Sequence, residues 1–298
     1  MPSELLPIGE LARRTGVNPV TLRAWERRYG LLKPQRTSKG HRLYPLDQLA
    51  RVEAILAWLE RGASVGQVRE LLDQPANSAP QGDWQARQEH LIEAVASLSQ
   101  RALDQQLNQV MALYPAITLC EQLLLPLLDS LAQRWRSYFN ARLEQVFFHT
   151  WLRSKLGARV YHDNQLLSGP PVLLAEDSER PFDISLWLYA WLLSSNGIAV
   201  EVLEYPVSGP ELQRAVAALR PRALLLHLGP RVDLKALHRT LAEVDGMKLL
   251  GGLTVALHTP PLQALDLDQL FLFDTPQAAL RLLQRQGRLP EELTLPCN

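Results

Sequence analysis

The sequence predicts a mixed fold in three parts. These are a winged helix-turn-helix over residues 1–75, a helical bundle over 76–165, and an α/β domain with a doubly wound parallel sheet over 166–298. Three observations carry the prediction. Between Arg13 and Arg51 ten basic residues face only Glu26 and Asp47, although Lys+Arg and Asp+Glu both total 31 in the whole chain. The middle stretch spaces apolar residues by three and four, which lines one face of a helix. The last stretch alternates short apolar runs with helical stretches, the pattern of a parallel sheet covered on both faces.

The first part reads element by element. Ile8 to Arg14 is a short helix stopped by Gly16. Asn18-Pro19 starts the next helix, because Asn caps free N–H groups and Pro is preset for a first turn. That helix runs from Val20 to Tyr29 and stops at Gly30, and Lys33-Pro34 forbids its continuation. The run QRTSKGHRLY gives two short extended pieces around a turn at Ser38-Lys39-Gly40. Helix resumes from Leu46 to Glu60, and Ser64 begins a last helix to Leu72.

Residues 73–82, DQPANSAPQG, have linker composition. Helices follow over Gln85–Leu98, Arg101–Leu113, Ile117–Arg136 and Asn140–Tyr161, with a stripe of Leu119, Leu123, Pro126, Leu127, Leu131 and Trp135. Four such helices suggest a bundle. Gly169-Pro170-Pro171 closes this part. Strands are then expected at Val172–Ala175, Val200–Leu203, Ala223–Leu228, Lys248–Leu250 and Leu270–Phe273. Helices are expected at 182–196, 209–219, 232–245, briefly near 260–266, and at 275–287. Ligands of such sheets sit beyond the carboxyl ends of the strands.

Composition narrows the class. Cys120 and Cys297 alone cannot build a disulfide framework or a cysteine zinc site. No 18-residue apolar run is present, and MPSELLPIGELARR lacks a secretory pattern, so a cytoplasmic chain without membrane contact is expected. The local basic block calls for an anionic partner. On the second helix Arg23 and Arg27 stand four apart, with Thr21 and Arg28 at the edges. Arginine on a helix in the major groove can make two hydrogen bonds to guanine. Arg36, Lys39, His41, Arg42 and Tyr44 belong to the hairpin, which reads as a wing on phosphates or in the minor groove. A merely solvated basic face would not also bring helix-turn-helix and wing together.

Residues 7–72 resemble the MerR-type DNA-binding domain through IGELARRTGV, TLRAWERRYGLLKPQR, GHRLY and RVEAILAWLERGASVGQV. The stretch NPVTLRAWERRYGLLKPQRTSKGHRLY is similar to the MlrA type, whose members regulate biofilm matrix genes. The resemblance implies a homodimer on double-stranded promoter DNA, twisting it so that RNA polymerase can use two badly spaced elements, hence an activator. Two departures are visible. Pro7 stands where a capping Ser or Thr is usual, and the tyrosine pair after Arg23 is Ala24-Trp25 here.

The remainder resembles the CarH-like cobalamin-binding regulators, a bundle followed by a flavodoxin-like domain. Trp135 and Arg153 match, but Gln145-Val146 replace a Glu-His pair. Where the cobalt-ligating Glu-x-His-x-x-Gly is expected, the chain has RPFDIS, with Phe182 for the His and Ser185 for the Gly. No His occurs between His162 and His227, while Gly251-Gly252 retain a glycine pair of that family. The expectation is a relic pocket of Phe182, Ser185, His227, Gly251 and Gly252 with cobalamin and metal absent, serving dimerisation, a regulatory protein or a small ligand. His227 reads more simply as a strand-end histidine, and His149 has no partner at metal spacing. Asp177, Glu179 and Asp183 are explained as well by a polar loop as by catalysis, so no enzyme is expected. The alternative is a regulator gated by a tetrapyrrole or a cyclic dinucleotide. Arg-x-x-Asp, a cyclic-dinucleotide grip, occurs at Arg101–Asp104 and Arg180–Asp183. Composition alone gives about one such match.

Overall fold

The computed structural model describes residues 5–37, 40–60, 63–72, 84–137, 141–177, 183–229 and 231–286. The expected linker at 73–82 lies outside the described residues, as do Lys39, Glu179 and Phe182. The chain divides into two compact units, 1–152 with 195–197, and 153–194 with 198–298.

The first unit opens with β1 (Leu5–Pro7), α1 (Ile8–Thr15) and α2 (Pro19–Ala24), which continues as a π turn over Trp25–Tyr29. β1 was not expected. Its three residues are held by pairing, Leu5 opposite Pro45 and Pro7 opposite Leu43. Asn18 caps α2 through Val20 N–H at 2.8 Å, whereas Pro7 leaves α1 without a side-chain cap. β2 (Gln35–Arg36) and β3 (Arg42–Pro45) form the hairpin, in a small sheet of order β1-β3-β2. Gly40 takes a φ of 81° in the hairpin turn, a backbone state glycine adopts without strain. α3 (Asp47–Glu60) and α4 (Val65–Leu71) complete the segment, α4 starting in a Ser64–Gln67 capping box.

The bundle helices are α5 (Trp84–Ala96), α6 (Gln100–Met111), α7 (Ala116–Leu119) continued by a π turn (Cys120–Leu124) into α8 (Leu125–Ser137), and α9 (Ala141–Asn164). The expected stripe is buried at Leu119, Leu123, Leu127, Leu131 and Trp135. Residues spaced strictly by four drift ~40° per step on an α-helix. The wider π turn takes up part of that drift.

The sheet strands are β4 (Val172–Glu176), β5 (Val200–Leu203), β6 (Ala223–His227), β7 (Met247–Gly251) and β8 (Leu270–Leu272). Their order is β5-β4-β6-β7-β8, all parallel. The helices between and after them are α10 (Ser185–Ser195), α11 (Gly209–Leu219), α12 (Leu234–Ala242), α13 (Leu253–Gln263) and α14 (Pro276–Gln286). β4, β6 and β7 are buried throughout, as strands covered on both faces must be. Leu173, Ala175, Leu224 and Leu226 pack with Leu212, Leu237 and Leu241 of α11 and α12. α13 starts earlier than the expected short helix near 260–266, directly after the glycine pair. Pro260 and Pro261 lie inside it, next to a kink at His258.

Candidate nucleic-acid interface and the sheet edge

The basic block divides by what each side chain touches. Arg23, Arg27 and Arg28 are exposed and, with Val20, Ala24 and Ala112, line a cleft of about 330 Å³. Residues four apart overshoot a full α turn, and the π turn reduces that overshoot, so Arg23 and Arg27 open onto one cleft. Arg36 and His41 are exposed on the hairpin. Other basic residues bond to groups of the domain itself, Arg13 and Arg14 at its surface. Arg13 and Arg14 pair with Glu10 at 2.6 and 2.7 Å, and Arg51 Nε donates to the Leu31 carbonyl at 2.5 Å.

Two expected contact residues, Thr21 and Tyr44, are buried, and a third, Arg42, is bonded to a neighbour. Thr21 is 3% exposed and packs in the core beside Leu22. Tyr44 is fully buried, and burial, then the charge of Glu26, push its phenol up to about 12. Arg42 is partly buried and donates from Nε to Glu26 Oε2 at 2.6 Å, which ties its guanidinium to the reading helix.

Sequence reasoning missed two residues here. Glu26, counted only as an opposing charge, joins helix and wing. Trp25, at the altered tyrosine pair, is fully buried, and its indole N–H donates to the Leu113 carbonyl of the bundle at 2.7 Å. The next residue, Tyr114, accepts the Val65 N–H at its hydroxyl, 3.3 Å, and packs on Trp84 with ring centroids 4.5 Å apart. A tryptophan amid polar residues, on the helix face opposite the arginines, was the available signal.

In the bundle, Trp135 donates to Glu144 Oε2 at 3.0 Å, and Arg134 grips Glu144 with two hydrogen bonds. These contacts hold the Glu144 carboxyl below its ordinary value, the Arg134 hydrogen bond first. Val146 is exposed. Arg153 makes paired hydrogen bonds to Glu204 at 2.7 and 2.9 Å, and Trp187 Nε1 donates to the same carboxylate at 2.9 Å. Both residues of the motif that match, Trp135 and Arg153, are thus bonded to carboxylates of this chain.

At the carboxyl edge of the sheet, four of the expected pocket residues come together. His227 ends β6, is 4% exposed, and lies 3.3 Å through Nε2 from Asp183 Oδ2. Asp183 Oδ1 accepts the Ser185 N–H at 2.9 Å. Burial alone would raise the Asp183 carboxyl, but the bonds from His227 and Ser185 outweigh it and hold the group below the usual carboxylate range. Gly251 and Gly252 follow at the end of β7. A Cβ on Gly251 would stand 1.9 Å from Phe273 Cζ, and one on Gly252 3.0 Å from His227 Cε1. Tyr189 of α10 packs against both His227 and Phe273, at 5.6 and 5.4 Å. The space over the glycine pair is therefore filled by the protein's own rings.

A separate cavity of about 270 Å³ opens beside α11 and α12, lined by Glu176, Asp177, Arg231, Asp233 and Thr240 among others. Burial pushes the Asp177 carboxyl up to about 6. Among the described residues no group of three or more His, Cys, Asp or Glu is placed to hold a metal, and no helix is long and apolar enough to cross a membrane.

A helix-turn-helix with a hairpin wing and an exposed arginine face defines a DNA-binding regulator. The family described as MerR HTH family regulatory protein matches residues 6–75. The chain is 34% identical over 213 residues to the HTH-type transcriptional regulator MlrA of Salmonella typhimurium, covering 70% of this chain and 84% of that one. The MlrA of Escherichia coli is 35% identical over the same length and shares. The HTH-type transcriptional repressor CarH of Myxococcus xanthus is 28% identical over 222 residues, 70% of this chain and 74% of that one. The chain belongs to the MerR family of transcriptional regulators and is related to MlrA and CarH; it is a regulator rather than an enzyme.

Proposed function

We propose that the protein is a cytoplasmic homodimer that binds promoter DNA in a sequence-specific way and activates transcription with RNA polymerase, with biofilm matrix genes as targets by analogy with MlrA. The observation that carries the reading is the single cleft lined by Arg23, Arg27 and Arg28 on the helix between turn and wing. In this reading those arginines enter the major groove, where each bidentate contact to guanine discriminates by ~1–3 kcal/mol. Arg36, Lys39 and His41 lie along the backbone and fix register. One reading helix covers too few base pairs to single out a promoter, which favours two copies on a near-palindrome.

The α/β domain is proposed not to hold cobalamin. The loop from Glu176 to Ser185 has no His, Cys or Met to ligate cobalt. His227, the remaining nearby imidazole, sits on a strand end with Nε2 on Asp183 and Nδ1 buried facing Gly252, and Phe273 fills the gap over Gly251 where a corrin ring would have to lie. The residues present do not fit the group. A dimer contact, a regulatory protein or a small ligand remains as the domain's role. The test is selection of duplexes from a random pool by the purified full chain, followed by binding to the winning site and to a scrambled one. A pool that never enriches would overturn the reading.

A further inference from the structure

We propose that Glu26 is a positioning residue of the DNA interface: by clamping the wing to the reading helix it sets specificity, although its charge opposes DNA. The proposal rests on the reading that the arginines of the helix and the wing contact DNA.

Glu26 sits in the π turn that ends the reading helix. Its side chain is 12% exposed, so its carboxylate has left most of its water. Oε2 accepts from Arg42 Nε at 2.6 Å, and the buried Tyr44 hydroxyl donates to the same oxygen at 3.5 Å. Arg36 of the facing strand approaches Oε1 at 3.8 Å. Arg36 and Arg42 are paired residues of the hairpin, so one carboxylate touches both of its strands. A short charge-assisted hydrogen bond between partly buried groups is directional, and losing one partner leaves the other desolvated and uncompensated. The wing has only a two-residue strand, β2, on its outer side. Its backbone pairing alone gives little resistance to a change of angle against the helix.

Two roles for Glu26 predict opposite signs. As a mere counter-charge, Glu26 weakens every DNA complex, and neutralising it strengthens specific and random binding alike. As a clamp, Glu26 holds helix and wing at the separation that one site requires. Neutralising it then lowers specific affinity while random binding, which needs only positive charge, is kept or improved.

The experiment uses the full chain and a duplex enriched by the unaltered protein, with a scrambled duplex beside it. Glu26→Gln is expected to weaken binding to the enriched site about tenfold or more, with unchanged or tighter binding to scrambled DNA. Glu26→Asp keeps the charge but withdraws the oxygens by one methylene, and is expected to give the same loss. Exchange of the pair, Glu26→Arg with Arg42→Glu, is expected to restore part of the specificity ratio. Circular dichroism and thermal melts of each variant separate this from unfolding, and Glu26→Asp carries the test if Glu26→Gln does not fold. Equal strengthening on both duplexes by Glu26→Gln, or Glu26→Asp behaving as the parent, overturns the proposal. Failure of the parent to enrich any duplex would instead strike the DNA-binding reading itself.

Discussion

Arg27 and Arg42 are both basic residues of one small domain, yet they should fail differently when removed. Arg27 opens onto the cleft of the reading helix. Arg27→Ala should cost ~1–3 kcal/mol on the preferred site and relax preference at one base pair, read by competition against single-base variants. Equal loss on random DNA would place Arg27 on a phosphate instead. Arg42 was expected to meet phosphate, but its bond to Glu26 makes Arg42→Ala a change in wing geometry. That division was illegible in the sequence, because charge counts do not say which cations are spent on neighbours. Thr21 and Tyr44 were misjudged for a related reason: polar atoms on edge positions look like contacts until packing buries them. Asp177 supplies a pH signature. A carboxyl raised to about 6 in the folded chain, from an ordinary 3.8, binds more protons folded than unfolded between those values. Stability should therefore fall as pH rises through that window. The lowered carboxyls Glu10, Glu144, Glu204 and Glu211 pull the other way at and just above their ordinary 4.5, so the Asp177 signature is the difference between the parent and Asp177→Asn, clearest from about pH 5 to 6. As pH rises through this range, the urea midpoint of the parent should fall relative to that of Asp177→Asn; parallel profiles would contradict it.

Elements were legible where their apolar pattern is local. β4, β6 and β7 stand out because a buried parallel strand is a nearly unbroken apolar run, and the edge strand β5, although interrupted by Glu201, also falls at the expected residues. β1 was missed because three residues carry no period of their own and depend on pairing with β3. The two π turns were missed because side-chain spacing does not distinguish a wide turn from an α turn. The join between the reading helix and the bundle was equally hidden, since Trp25 and Leu113 are 88 residues apart. Trp25→Phe should leave the Leu113 carbonyl buried without its donor and cost ~1–3 kcal/mol of stability, measured by urea unfolding. No loss would mean that water replaces the indole N–H. At the sheet edge, Gly251→Ala forces a methyl into the Phe273 ring. Overpacking of this kind costs ~1–3 kcal/mol, and Phe273→Leu in the same chain should recover part of it. If the double variant is no better than the single, the ring is not what Gly251 accommodates.

At the scale of the whole molecule, the sequence showed three segments, while the contacts make two compact units with the DNA-binding segment and much of the bundle in the first. The difference comes from the long-range bonds of Trp25 and Tyr114, which composition and linker signals cannot reveal. The proposed dimer should appear as a two-chain species in analytical ultracentrifugation of the full chain, and a monomer bound singly to DNA would exclude it. The proposed loss of cobalamin is tested by incubation with adenosylcobalamin and desalting; about one retained corrin per chain would overturn it. The central claim is that this chain reads DNA sequence through the arginines of its second helix. Its most direct test is a binding titration of the enriched and scrambled duplexes between about 50 and 200 mM salt. The account predicts a preference of roughly 10³-fold or more for the enriched site. It also predicts a log–log salt slope on the order of −2 or steeper per protomer, from the proposed backbone contacts of Arg36 and Lys39 at ~0.9 each. Equal affinity for the two duplexes, or affinity that does not change with salt, would contradict it.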